Sequence, residues 1–348
     1  MNRGILGPVG TVVLALALLH AREAGAYPDL DLKLINPYPA TGPADITGDG
    51  VGNRVARMMQ SMSPASLTDA LAWSISTTLA AGLGRRVIVE RRARVRTIEG
   101  HRQVALATPD GHTLLLSGDS AFLVHPKTAR ELAFDPVRDL VPVALVARMP
   151  IVLIASRRLG VTTAREFIAA AKAAPRPMHI GSAGGLSTTH LAAELMMERA
   201  GIDLVRVAFN GGTAAVDNVM TGQIEAAFVP LPAVLPYLYS ERLRVIGIAE
   251  PERDLALPHI PALAKTIPGF DAAHWYGVFA PAGTPRSVVS LLSEKLASGV
   301  APPATSELLA SRGLRITYLA AAEFSAKLVS ERARWRSFIA RRAGASGT

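Results

Sequence analysis

The chain has 348 residues, no cysteine, and 37 Lys and Arg against 28 Asp and Glu, a formal net charge of +9. The missing cysteine excludes a disulfide framework, a thiolate nucleophile and a cysteine-ligated zinc site. Apolar residues at 49% exclude a disordered chain, and the length suggests about two domains of roughly 150 residues.

At the N-terminus, Met1-Asn2-Arg3 is a short basic stretch and residues 9–19 are an apolar run. The run is too short to span a bilayer, and Ala24-Gly25-Ala26 follows with small residues at A-x-A spacing. The expectation is a secretory signal at 1–26, cleaved after Ala26; an uncleaved anchor or a buried N-terminal helix are the alternatives. No later stretch reaches ~18 apolar residues. Export would carry the mature chain, near +8, into the periplasm. That location argues against the nucleic-acid reading that a basic chain invites. Moreover, 31 of the 37 cations are arginine, a bias that coding-DNA composition produces as readily as function does.

Further on, 32–36 is a strand candidate, followed by the turn-rich Pro37 to Pro43. Helices are predicted over 53–62 and 68–83, the second capped by Thr68 or Asp69. A strand at 86–90, a helix at 98–107 and a strand at 112–116 come next. Residues 143–155 give two strands broken at Met149-Pro150. A helix at 163–174 is capped by Thr162 or Thr163, and a short strand follows at 179–180. Ser187 opens a helix to Ala200, 204–208 is a strand, and 213–221 is a helix. Strands at 225–229 and 244–248 and helices at 285–298 and 322–341 complete the pattern. Strands alternating with helices predict α/β architecture with parallel sheets.

Strand, glycine-rich loop, then helix recurs at 39–42, 181–185 and 210–212. Such loops let backbone approach a ligand and offer the unpaired N–H groups of a helix N-terminus to an anion. None carries the P-loop Lys or the G-x-G-x-x-G spacing, so a nucleotide has little support. A helix dipole contributes roughly 0.3–2 kcal/mol to an anion and a charge-assisted hydrogen bond about 1.5–3. Micromolar affinity needs about 8 kcal/mol, so two or three loops must converge.

These loops and their neighbours resemble the substrate-binding receptors of tripartite tricarboxylate transporters, the Bug family, over nearly the whole mature chain. The resemblance rests on Asn36-Pro37-Tyr38-Pro39-Ala40-Thr41-Gly42-Pro43-Ala44-Asp45, on Pro109 to Leu115, Asp135 to Val143, Gly181 to Leu191, Phe209 to Ala215 and Leu257 to Ala262. Most specific is Trp275 to Pro285, matching W-x-G-x-x-A-P-A-G-T-P.

The resemblance implies a type II periplasmic-binding-protein fold: two α/β lobes joined by a two-stranded hinge, lobe 1 from 27–150 and 251–348, lobe 2 from 151–250. It implies a monomer without catalysis, cofactor or metal. Such a receptor captures a small carboxylate and delivers it to a membrane permease. A ligand sensor for a signalling protein, or an enzyme on the same fold, are the alternatives. First-lobe contacts would fall at Ala40, Thr41 and Gly42. Second-lobe contacts would fall at Ser182, Ala183, Ser187 and Thr188 and at Gly211-Gly212. Trp275 and Tyr276 suit either the lining of the cleft or core packing.

Departures bear on the ligand. Thr41 replaces a glycine, Leu186 a glycine, and Asn210 a common lysine. Registers counted to Asp45 and to Asp69 differ by 24 residues, an insertion that leaves either aspartate as the family's helix cap. Seven arginines lie between Arg85 and Arg102, where the family has a glycine-rich stretch; they suit either a polycarboxylate or a solvated surface. Residues 45–56 carry five calcium-loop positions but have Ala56 where a bidentate Glu is needed, so a turn-rich loop is favoured. His190 and Glu194 fit a side-chain pair on one helical face. Ser182 lacks the G-x-S-x-G frame of a hydrolase. The arginines from Arg332 to Arg342 suit an amphipathic surface helix anchored by Trp335, Phe338 and Ile339.

Overall fold

The structure, a computed structural model, describes residues 27–38, 64–92, 98–122, 134–184, 187–251 and 257–345. The signal segment, the expected helix at 53–62, the loop at 45–56, the contacts Ala40, Thr41 and Gly42, and Arg94 and Arg96 lie outside the described residues.

One sheet is built from β1 (Leu32–Asn36), β2 (Val87–Arg91), β3 (Thr113–Gly118), β4 (Leu140–Met149), β10 (His274–Pro281) and β11 (Arg315–Ala320), in the order β11-β4-β10-β3-β1-β2. Helices α1 (Pro64–Leu83) and α2 (Ile98–Ala105) connect its first three strands. A second sheet holds β5 (Ile151–Ser156), β6 (Met178–Ser182), β7 (Leu204–Ala208), β8 (Ala226–Pro230) and β9 (Leu243–Ile248), in the order β7-β6-β8-β5-β9. Helices α3 (Ala164–Ala173), α4 (Thr188–Ala200), α5 (Gly212–Thr221) and the short α6 (Leu231–Val234) belong to that half. The chain then closes with α7 (Arg286–Ala297), α8 (Pro303–Ser311) and α9 (Ala321–Ala345).

The sheets are mixed, which corrects the expectation of parallel ones. β1 pairs in parallel with β2 and β3, and β6 with β7 and β8, where helices make the crossovers. β10 is antiparallel to both β3 and β4, and β5 to both β8 and β9. These strands arrive without a crossover helix. β4 runs into β5 through Pro150, which has no N–H to continue a ladder. Each strand keeps its own sheet, so the chain changes lobe there.

The return lies alongside. The Ala249 N–H donates to the Ile151 carbonyl at 2.8 Å, Ala272 donates to Ala249 at 2.9 Å, and His274 pairs with Met149. The two crossing segments form the two-stranded hinge. Packing does not divide at residue 250 as cleanly as strand order does. Ile267, Phe270, Trp335 and Phe338 join the core of the second sheet, so α9 starts on one lobe at Phe324 and ends on the other.

Local signals account for the helix starts. Thr163 accepts from the Glu166 N–H at 3.2 Å, and the Glu166 carboxylate accepts from the Thr162 N–H at 2.6 Å, a capping box ahead of α3. Ser187 caps α4 through the His190 N–H at 3.2 Å. By contrast α1 begins at Pro64, so Thr68 and Asp69 lie inside it rather than at its cap.

Candidate functional site

The carboxyl ends of β3 and β6 belong to different lobes and face each other. Asp119 follows β3, Thr188 opens α4 after β6, and the Thr188 hydroxyl lies 2.9 and 2.8 Å from the two carboxylate oxygens of Asp119. Asp119 is completely buried. Its Oδ1 also accepts a hydrogen bond from Nδ1 of His274, the first residue of β10. Two donors thus converge on one acceptor. The Thr188 hydroxyl also lies 3.4 Å from His274 Nδ1, so hydroxyl and acid meet the same ring nitrogen, whereas a hydrolase relay places them on opposite nitrogens.

Tyr38 and Tyr276 wall the same place. The Tyr276 ring meets His274 edge-on at 4.8 Å and Tyr38 at 5.8 Å. Burial pushes both phenols well above their ordinary value, so both stay neutral. The Tyr38 oxygen accepts the Gly118 N–H at 2.6 Å. Gly118 is required here: a Cβ would lie 2.8 Å from the Tyr38 oxygen and 3.0 Å from His274 Cε1.

The exit of β1 toward residues 39–42 is fixed from below. Asn36 accepts the Tyr38 N–H at 3.2 Å through Oδ1 and donates to Asp69 at 2.8 Å. Arg91 reaches the same carboxylate at 3.0 Å. Burial raises the Asp69 carboxyl above its usual value, opposed by Arg91 and by Asn36. Among the other clustered arginines, Arg86 pairs with Asp31, Arg92 with Glu90, and Arg85 with the Pro28 carbonyl.

In the second lobe the loop after β6 is largely self-satisfied. The Ala183 N–H donates to the Thr189 hydroxyl at 2.9 Å, and the Ser182 and Ser187 hydroxyls both donate to the Gly184 carbonyl, at 3.3 and 2.7 Å. The loop after β7 differs. Gly211 has φ +98° and ψ 166°, a conformation essentially reserved for glycine, and no side chain caps the helix that follows. Because β6 and β7 are parallel, this open N-terminus of α5 lies on the same sheet edge as Thr188.

Of the sequence-predicted contacts, Ser182, Ala183, Ser187, Thr188, Gly211 and Gly212 therefore share one edge, and Thr188 touches the other lobe. Trp275 does not join them. Its indole is fully buried beside Phe122, Phe279 and Phe324 and donates to Glu331 at 2.8 Å. Asp119 and His274 were missed. Strand alternation was the available signal: once Trp275 is placed on a strand, His274 and Tyr276 must point to its opposite face. Among the described residues no group of three His, Asp or Glu could hold a metal ion, and no helix is long and apolar enough to cross a membrane.

Comparison with known proteins finds relatives over most of the chain. The protein encoded in the tcbD–tcbE intergenic region of Pseudomonas sp. (strain P51) is 31% identical over 278 residues, 79% of this chain and 82% of its own. BugT of Bordetella pertussis is 30% identical over 286 residues, 81% of this chain and 88% of its own. The solved structure of R. palustris Rpa4515 with adipate shares the fold at TM-score 0.70 and 24% identity, covering 91% of this chain and 98% of that one. The sequence profile of the tripartite tricarboxylate transporter family receptor matches residues 71–343. The chain belongs to the tripartite tricarboxylate transporter receptor family, also called the Bug family.

Proposed function

We propose that the protein is an extracytoplasmic receptor that captures a small carboxylate between its lobes and delivers it to a membrane permease. The observation that carries the reading is the face-to-face placement of the two sheet edges, held by Thr188 and Asp119, with the uncapped N-terminus of α5 on one of them. Ligands of open α/β sheets sit outside the carboxyl ends of strands, and an open helix end favours an anion. The adipate bound to Rpa4515 supports the ligand class, and the family's role as transporter receptor supports delivery. Export through the segment at 1–26 fits the same picture.

Recognition here needs main-chain donors and lobe closure, not a titratable catalyst. The test is a thermal-shift screen of purified protein against monocarboxylates, dicarboxylates, tricarboxylates, amino acids and neutral sugars. A carboxylate at 100 times its Kd is expected to stabilise the fold by about 2.7 kcal/mol. Shifts from sugars alone, or from nothing in the panel, would overturn the reading.

A further inference from the structure

Asp119 is fully buried where the edges of the two sheets meet. It lies against the first residue of α4 and accepts hydrogen bonds from the Thr188 hydroxyl and from His274 Nδ1. A threonine hydroxyl has one proton to give, and so does a protonated ring nitrogen such as Nδ1 of His274. The α4 end of the cleft therefore has its side-chain donors committed to the protein's own anion. Its other neighbours, Ser187 and Thr189, are bonded to each other at 2.8 Å, and the Ala183 N–H is spent on Thr189. Among the described residues, no side chain caps the open end of α5.

We propose that Asp119 is a built-in carboxylate that fills the α4 end of the cleft, so that this receptor selects small acids with a single carboxylate and rejects dicarboxylates long enough to reach it. The inference rests on the receptor reading above. A second ligand carboxylate at this end would set acceptor oxygens against the acceptor oxygens of the buried Asp119, a repulsion strengthened by low local dielectric. It also finds the Thr188 hydroxyl and His274 Nδ1 already bonded to Asp119 rather than available to offset its desolvation. A methyl, hydroxyl or ammonium group in its place escapes the repulsion, and the last two can donate to Asp119.

The experiment is calorimetric titration of wild type, Asp119→Asn and Asp119→Ser with acids paired by length: butyrate and 4-hydroxybutyrate against succinate, pentanoate and 5-hydroxypentanoate against glutarate. Wild type is expected to bind the better monocarboxylate of a pair at least about 10-fold more tightly than the dicarboxylate. In Asp119→Ser that ratio should fall by about 10-fold or more, with Asp119→Asn between the two. A wild type that binds the dicarboxylate as tightly overturns the proposal, and this needs no variant to fold. So does an unchanged ratio in variants that still bind. Those outcomes leave the receptor reading standing; failure of every acid, across this panel and the wider screen, removes both.

Discussion

Trp275 shows how one residue can carry a family resemblance without touching a ligand. Its motif marks a strand, and the strand buries the indole among Phe122, Phe279 and Phe324 while it turns His274 and Tyr276 the other way. Trp275→Ala is expected to cost about 3–5 kcal/mol of stability, measured by urea unfolding. Trp275→Phe should cost less and leave carboxylate affinity within about twofold, since one aromatic replaces another on the buried side. A loss of affinity without a loss of stability would return the indole to the site.

His190 gives a pH-dependent prediction. Burial chiefly, and the Arg206 charge secondarily, hold its imidazole below the ordinary value of 6.5. Glu194 lies 3.8 Å away and would act oppositely, but its carboxylate is taken by Arg206. Below about pH 6.5 the unfolded chain binds a proton that the folded chain refuses. Stability should therefore fall as pH drops through that range, and the loss should level off below the folded value. Thermal unfolding from about pH 7.5 to about pH 5.5 should show a shallower slope for His190→Asn; identical slopes would contradict the assignment.

At the scale of elements, segments with a clear period and a cap were legible in the sequence. Thr163 and Ser187 start the helices they were expected to start, and 204–208 is the strand expected. The strand β10, the helix α8 and the strand β11 were not legible. β10 is buried along nearly its whole length, so it shows no polar alternation. β11 is half-buried throughout and pairs only with β4 through an irregular register. The start of α1 was misplaced because Asp69 resembles a cap yet serves as the acceptor between Asn36 and Arg91. The loop before α5 depends on its glycine. Gly211→Ala should cost about 1–3 kcal/mol through strain at φ +98°. It should also weaken carboxylate binding several-fold in calorimetry, because it tilts the open helix end. Unaltered binding would show that α5 does not hold the anion.

For the whole molecule, the length suggested about two domains, the break at Met149-Pro150 was legible as a division between two strands, and the lobes came from the resemblance. The return crossing was implied only by resemblance, since 249–274 carries no periodic signal. The positive balance is in part spent locally: Arg86 on Asp31, Arg91 on Asp69, Arg315 on Glu250, Arg341 on Glu198. The contacts of Asp119, with Thr188 across the cleft and with His274 on the neighbouring strand, could not be read from sequence. They join positions 69 and 155 residues apart, the first brought together by the two lobes and the second by the pairing of β3 with β10.

The central claim is that a carboxylate is recognised between the lobes. It is tested most directly by calorimetric titration of the wild-type protein with its best-binding acid and with the primary amide of that acid. The amide keeps the shape and removes the charge. Loss of a charge-assisted hydrogen bond, about 1.5–3 kcal/mol, together with the helix-end field predicts binding weaker by roughly 100-fold for the amide. Equal affinity for acid and amide would contradict the account.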